Sequence, residues 1–253
     1  MADKLKFYLG YDEDKNIKAI DARSLLIAGA KGSGKTIFLN NFIYNLLLHN
    51  SRDILQVKYY TNKYVGTDMM FMSKNKEVPL LEFVNSEEKS NVLDFIQEAA
   101  WLVEDREHAL RMAECESIHE FNDLDSDVSY KEFVYIVDGF KDKIEFDSQL
   151  YNKMKYVITR GSRCGVHLVI VDTNAEMLPD TLCSKFQGKV ALGISAEGSI
   201  KLLESTVAAT SQIYLNHIAI YKDNVVYHSP QYLRTPLLTK EKMQVALNVF
   251  NHL

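Results

Sequence analysis

The sequence has 253 residues, 47% of them apolar and 25% charged, enough for one α/β domain with a sizeable core and too apolar for a disordered chain. A net charge of −5 and a pI of about 5.8 argue against non-specific duplex binding as the main task, because that task ordinarily shows a basic field. The 3 cysteines, Cys115, Cys164 and Cys183, form neither a CxxC pair nor a zinc spacing, which reads as buried or incidental thiols in a reducing compartment.

In chain order, "KFYLGYDEDKNIKAIDA" reads as a hairpin or two short edge strands. "SLLIAGA" is a short apolar run ending in glycine, the pattern of a buried strand. "KTIFLNNFIYNLLLHN" follows with apolar residues at helical spacing, and "ILQVKYYT" and "LLEFVN" are two further strands. A long helix is expected from Ser86, which can cap it with Glu87 and Glu88 in its first turn, through "VLDFIQEAAWLVEDREHALRMAEC". "EFVYIVDG" is unbroken and rich in β-branched residues, hence a central strand. "FDSQLYNKMKYVITRGSRCG" is a helix ended by glycine. "VHLVIVDT" and "KVALGIS" are strands with the short helix "PDTLCSKF" between them, and "GSIKLLES" is another helix. "NHIAIYKDNVVYHS" reads as a late hairpin around Asp223-Asn224, and "TKEKMQVALNVFNHL" closes as a helix.

This alternation predicts a mostly parallel sheet with helices on both faces and small hairpin appendages, with ligands at the carboxyl ends of the strands. There are no repeats, and neither linkers nor composition shifts mark a boundary. One domain over 1–253 is expected, with edge strands in 1–20, a core in 21–210, and a hairpin and helix in 211–253. The longest apolar runs, such as "HLVIV", are too short to cross a bilayer, and "MADKLKFYLGYDEDK" has no signal-peptide core.

"GAKGSGKT" fits the phosphate-loop pattern GxxxxGK[ST] at Gly29, Ala30, Lys31, Gly32, Ser33, Gly34, Lys35 and Thr36. The glycines let successive N–H groups turn toward phosphate oxygens, and the following helix adds its positive end. Lys35 would reach the β and γ phosphates, and the Thr36 hydroxyl would ligate Mg²⁺. A nucleotide triphosphatase also needs an aspartate at the end of a neighbouring strand to hold the metal's shell, and "FVYIVD" supplies Asp138. The next residue is Gly139, where many such ATPases carry a glutamate that activates water. Asp142 and Glu145 stand nearby as substitutes, by a different backbone path.

Several stretches together resemble the FtsK/SpoIIIE family: "LLIAGAKGSGKTIFLNNFIYNLL", "WLVEDREHALRMAECESIHEFN", "YIVDGFKD", "ITRGSRCGVHLVIVDTN" and "KVALGISAEGSIKLLES", in order over about residues 20–210. The resemblance implies a RecA-like ATPase core that binds ATP and Mg²⁺, often in a ring or a stacked array. One branch of that family pumps DNA. The other comprises the type VII secretion coupling proteins EssC/EccC, whose later modules often have degenerate motifs and recruit secreted substrate. This sequence departs from the active pattern at Gly139, at Asn174, over Gly198 to Ile200, and at Lys189 in place of an arginine. The resemblance therefore implies a C-terminal module on the cytoplasmic side of a bacterial membrane, anchored through a parent chain. It would hold Mg-ATP and help recruit a secreted protein or its signal peptide, beside neighbouring ATPase modules and in a possible hexameric ring. The alternatives are an active motor translocating DNA or protein, and a nucleic-acid-binding partner in conjugation. By the same resemblance Thr173 would sense the γ-phosphate, and Arg160 or Arg163 would touch a neighbour's phosphate or simply end a solvated helix.

Of four other features, three have two readings each. His167 is structural or catalytic. Tyr59, Tyr60, Tyr64, Met69, Met70, Phe71 and Met72 form a peptide-docking surface, or core plus a loop. Trp101, with Leu102, Leu110 and Met112, reads as core. Tyr232 lies in a surface turn or against an adenine.

Overall fold

The computed structural model describes residues 4–51, 53–61, 81–85, 92–124, 128–139, 148–173, 176, 178–210, 218–224, 229–236, 238 and 241–242. Ten strands form one sheet: β1 (Lys6–Tyr11), β2 (Ile17–Asp21), β3 (Leu25–Gly29), β4 (Leu55–Thr61), β5 (Leu81–Asn85), β6 (Glu132–Asp138), β7 (Val166–Asp172), β8 (Gly188–Leu192), β9 (Ile218–Asp223) and β10 (Gln231–Arg234). The helices are α1 (Lys35–His49), α2 (Val92–Met112), α3 (Ile118–Asn122), α4 (Ser148–Arg160), α5 (Asp180–Cys183) and α6 (Ala196–Leu203). The strand order is β2-β1-β10-β9-β8-β3-β7-β6-β4-β5. From β8 to β5 every pair is parallel. From β8 to β2 every pair is antiparallel.

Strand alternation sorts the core onto the two faces. Leu25 and Ile27 of β3, Val134 and Ile136 of β6, and Val169 and Val171 of β7 point into one cluster with Phe38, Phe42, Ile43 and Leu46 of α1. Leu26, Tyr135, Val137, Leu168 and Ile170 point the other way, into a cluster with α2, α4, α5 and α6. β3, β7 and β8 are buried at every position, because helices cover both of their faces. The N-terminal hairpin continues the sheet rather than hanging from it: Phe7 meets Phe42 of α1 edge to face at 5.0 Å between ring centres.

Four expectations need correction. The long helix ends at Met112 and not at Cys115: Glu114 turns left-handed at φ 55°, and Ser117 caps a separate α3, absent from the expected elements, by accepting from the Glu120 N–H at 3.3 Å. The late hairpin does not pair across Asp223-Asn224; β9 pairs with Gln231–Arg234, Tyr221 opposite Gln231. Tyr232 therefore lies in a strand opposite Ile220, not in a surface turn. Trp101 is 63% exposed and Met112 75%, because they fall on the outer side of α2 while Val103 and Leu110 face the core. The expected cap at Ser86, Tyr64 with Met69 to Met72, and most of the closing helix lie outside the described residues.

Candidate functional site

The sheet's carboxyl edge carries the phosphate loop. β3 ends at Gly29, and the chain is pinned at once: the Ala30 N–H donates to Gly193 O at 2.9 Å, and the Ser33 N–H to Ala30 O at 3.2 Å. Gly32 (φ 83°) and Gly34 (φ 96°) take backbone that side chains rarely adopt. A Cβ on Gly29 would lie 2.2 Å from Leu192 O and 2.5 Å from Ser33 Oγ, so the loop closes only over a glycine. Helix α1 then starts with no side-chain cap on its first N–H groups and no acidic residue in its first turn.

Two groups inside the loop fit a phosphate. Ser33 is 1% exposed, and its Oγ has no hydrogen-bond partner among the described residues. A buried hydroxyl left so costs about 1–3 kcal/mol, which a phosphate oxygen would offset. Lys35 is 8% exposed, and its ammonium folds back onto the loop, donating to Gly29 O at 2.5 Å and Ala30 O at 2.8 Å. A cation held over its own loop's carbonyls stands where triphosphate charge would be met. Thr36 follows in the first turn of α1, exposed.

Asp138 ends β6 with 5% exposure. It is not on the strand next to β3, since β7 lies between. The register brings it level nonetheless: Ala28 lies opposite Asp172, and Asp138 opposite Val171. Alternation along β6 places Asp138 on the α1 face, the face of Thr36. The same alternation along β7 carries Thr173, just past the strand, to that face. Gly139 leaves β6 at φ 90°, its N–H donating to Val171 O at 3.2 Å. Asp142, Glu145 and Asn174 lie outside the described residues.

The sequence reading missed Tyr59. Its hydroxyl donates to Asp138 Oδ2 at 3.1 Å, and the ring is fully buried. Burial first, then the Asp138 charge, push the phenol far above its usual range. Tyr59 and Tyr60 belong to the core and not to a docking surface, with Tyr60 packing against Phe95. The period of β4 was the available signal: Leu55, Val57 and Tyr59 share the α1 face. Asp172 was also passed over; it is 4% exposed, at the end of β7, and alternation puts it on the face away from Asp138.

The remaining candidates stand elsewhere. Arg160 ends α4 and Arg163 sits in the turn after it, at the amino end of β7. Both meet Glu107 of α2, Arg160 at 3.8 Å and Arg163 in a close ion pair. Tyr156 O–H donates to the same carboxylate at 3.0 Å. Burial would raise Glu107, and these partners outweigh it and hold its carboxyl low. His167 is structural: Nε2 lies 2.6 Å from Glu132 Oε2 inside the core. Lys189 is buried in β8 beneath the helices, its amine pushed down by desolvation. Gly198 to Ile200 lie inside α6, where the Gly198 N–H donates to the Ser195 cap at 3.0 Å.

The description of the FtsK/SpoIIIE family matches residues 5–219. The chain belongs to the FtsK/SpoIIIE family. The ESX-5 secretion system protein EccC5 of Mycobacterium marinum is 28% identical over 193 residues, 73% of this chain and 14% of that protein. The chain thus spans about one seventh of that curated relative. Among solved structures, the cytoplasmic domain of the Thermomonospora curvata type VII secretion ATPase EccC superposes with a TM-score of 0.79 at 17% identity, covering 98% of this chain and 31% of that one. The same protein's ATPases 2 and 3, in complex with a signal sequence peptide, give 0.72 at 14%, covering 98% and 46%. This FtsK/SpoIIIE chain therefore has the P-loop ATPase fold of the EccC/EssC modules. No helix among the described residues is long and apolar enough to cross a membrane.

Proposed function

We propose that this chain is an ATP-holding module of a type VII secretion coupling ATPase: it binds Mg-ATP, hydrolyses it weakly or not at all, and helps recruit a secreted protein or its signal peptide. The observation that carries this reading is a phosphate cradle together with a glycine at the end of β6. Ser33 Oγ is buried without a partner and Lys35 caps the loop's carbonyls, while Gly139 leaves β6 at φ 90°. Residues Gly29 to Thr36 would hold the phosphates, Thr36 and Asp138 the Mg²⁺ shell, and Thr173 would face the γ-phosphate. Bound Mg²⁺ would neutralise phosphate charge. A positioned general base is worth about 10²- to 10⁴-fold, and glycine has no group to act as one.

Recruitment is supported by the EccC structure that holds a signal sequence peptide. The matched fraction of EccC5 supports a place as one module of a longer protein, with neighbouring ATPase modules beside it. Such a parent would anchor it at the cytoplasmic side of a bacterial membrane.

Single-turnover hydrolysis of Mg-ATP, with Lys35→Ala as the control, tests the reading. ATP is expected to be retained in a Lys35-dependent manner and to stay intact. Cleavage at ordinary ATPase rates, abolished by Lys35→Ala, would overturn it. A motor ATPase with Asp142 as base would then be the better account.

A further inference from the structure

We infer that Tyr59 is a positioning residue for the magnesium carboxylate, its hydrogen bond to Oδ2 fixing the setting in which Asp138 would serve the metal's water shell. The inference rests on the Mg-ATP reading above.

The geometry is specific. Tyr59 lies in β4 directly opposite Ile136 of β6, so Asp138 is its diagonal neighbour two residues on. The two side chains share the α1 face, and the phenol donates to Oδ2 at 3.1 Å. An aspartate at a strand end has a terminal torsion that is broad and roughly two-fold. A hydrogen bond to one oxygen selects one setting of that torsion. The ring is packed on all sides among Val57, Val134 and Ile136, so its hydroxyl cannot follow a swinging carboxylate. Thr61, one pleat further along β4, sits opposite Asp138 in the register. Backbone register, a buried ring and two polar neighbours therefore converge on one carboxylate.

The hydroxyl is not needed to fill space, because phenylalanine has nearly the same volume. What the oxygen adds is orientation. Partners that orient a metal-binding group are commonly worth about 10- to 100-fold in metal affinity. A magnesium ion that keeps several of its waters relies on few protein contacts, so the setting of Asp138 weighs heavily.

The test is nucleotide binding by the whole chain, titrated with Mg²⁺ at fixed ATP and repeated in EDTA. Wild type, Tyr59→Phe, Asp138→Asn and the double variant are compared, with melts in the absence of nucleotide as the folding control. Tyr59→Phe is expected to bind ATP as wild type does in EDTA and to need about tenfold more Mg²⁺ for half-maximal binding. In the Asp138→Asn background the same change is expected to do nothing further. An unchanged magnesium midpoint, an equal loss with and without Mg²⁺, or full additivity in the double variant overturns the inference. If wild type shows no Lys35-dependent ATP binding at all, the functional reading itself falls, and this inference falls with it.

Discussion

Gly139 offers a quantitative test of whether the base that the proposed reading finds missing is a simple substitution or is built into the backbone. Its φ is 90°, and its N–H extends the ladder to Val171 O, so this conformation is tied to the neighbouring strand. A residue with a Cβ costs about 1–2 kcal/mol in left-handed backbone. Removing glycine's freedom from the unfolded chain returns about 0.4–1 kcal/mol. Gly139→Ala should therefore destabilise by about 1 kcal/mol, lowering Tm by about 2–4 °C in a chain of this length. Gly139→Glu carries the same strain and adds a carboxylate beside Asp138, so it should melt lower than the alanine variant at neutral pH. On the proposed reading it should not restore hydrolysis, because a glutamate in this left-handed backbone strains the strand end from which it would have to act. Thermal melts without nucleotide, alongside single-turnover hydrolysis, measure both quantities. A Gly139→Glu variant that melts with wild type and cleaves ATP at least about 10²-fold faster would refute the reasoning and show that the backbone re-forms around a glutamate.

Gly29→Ala should cost about 1–3 kcal/mol by overpacking and abolish ATP retention, since its methyl would enter between Leu192 O and Ser33 Oγ, at 2.2 and 2.5 Å; retained binding at wild-type affinity would contradict the cradle. Trp101→Ala should change stability by no more than about 0.5 kcal/mol, as a surface substitution does, because the side chain is 63% exposed; a larger loss in denaturant unfolding would return it to the core. Glu132 is pushed up by burial but pulled below its usual range by His167, His119 and the Leu5 N–H, which outweigh it. A depressed folded pKa means the contribution is present above the unfolded pKa of about 4.3 and is lost as pH falls through the folded value. Glu132→Gln should thus lose about 1–3 kcal/mol at neutral pH, and the gap to wild type should close on acidification; parallel acid limbs would exclude it.

The loop was legible because its chemistry is local: GxxxxGK[ST], a buried strand before it and apolar helical spacing after it lie in one contiguous stretch. Asp138 was legible for the same reason, from the unbroken run that precedes it. Its partner was not. Tyr59 stands 79 positions earlier in the chain, and only the pairing of β4 with β6 makes the two meet. Trp101 was misjudged because a long helix with mixed faces gives several acceptable apolar stripes, and the sheet decides which one is buried. The late hairpin failed on turn chemistry: Asp-Asn looked like a tip, but Asp223 is drawn inward to Arg23 at 2.6 Å and Tyr221 at 2.9 Å and is the last residue of β9.

On the proposed reading the cradle stands without a base beside it, because Gly139, the residue after Asp138, has no side chain to act as one. Arg160 and Arg163, to which the resemblance gives a neighbour's phosphate, stand far from this chain's own loop: β7 has 7 residues, and at about 3.3 Å per residue its amino end, where they stand, is about 20 Å from the loop's edge. An arginine cannot span that length, so neither residue can reach a phosphate bound in its own chain, and both are engaged with Glu107. On that reading, what this site contributes is binding. Ligand held at about 1,000 times its Kd adds about 4 kcal/mol to folded stability, which exceeds the cost of the unpaired Ser33 hydroxyl inside the loop. In a cell with abundant ATP, a module of this kind would draw on nucleotide for its rigidity rather than for work, and Lys35→Ala should shorten its lifetime before it changes any turnover.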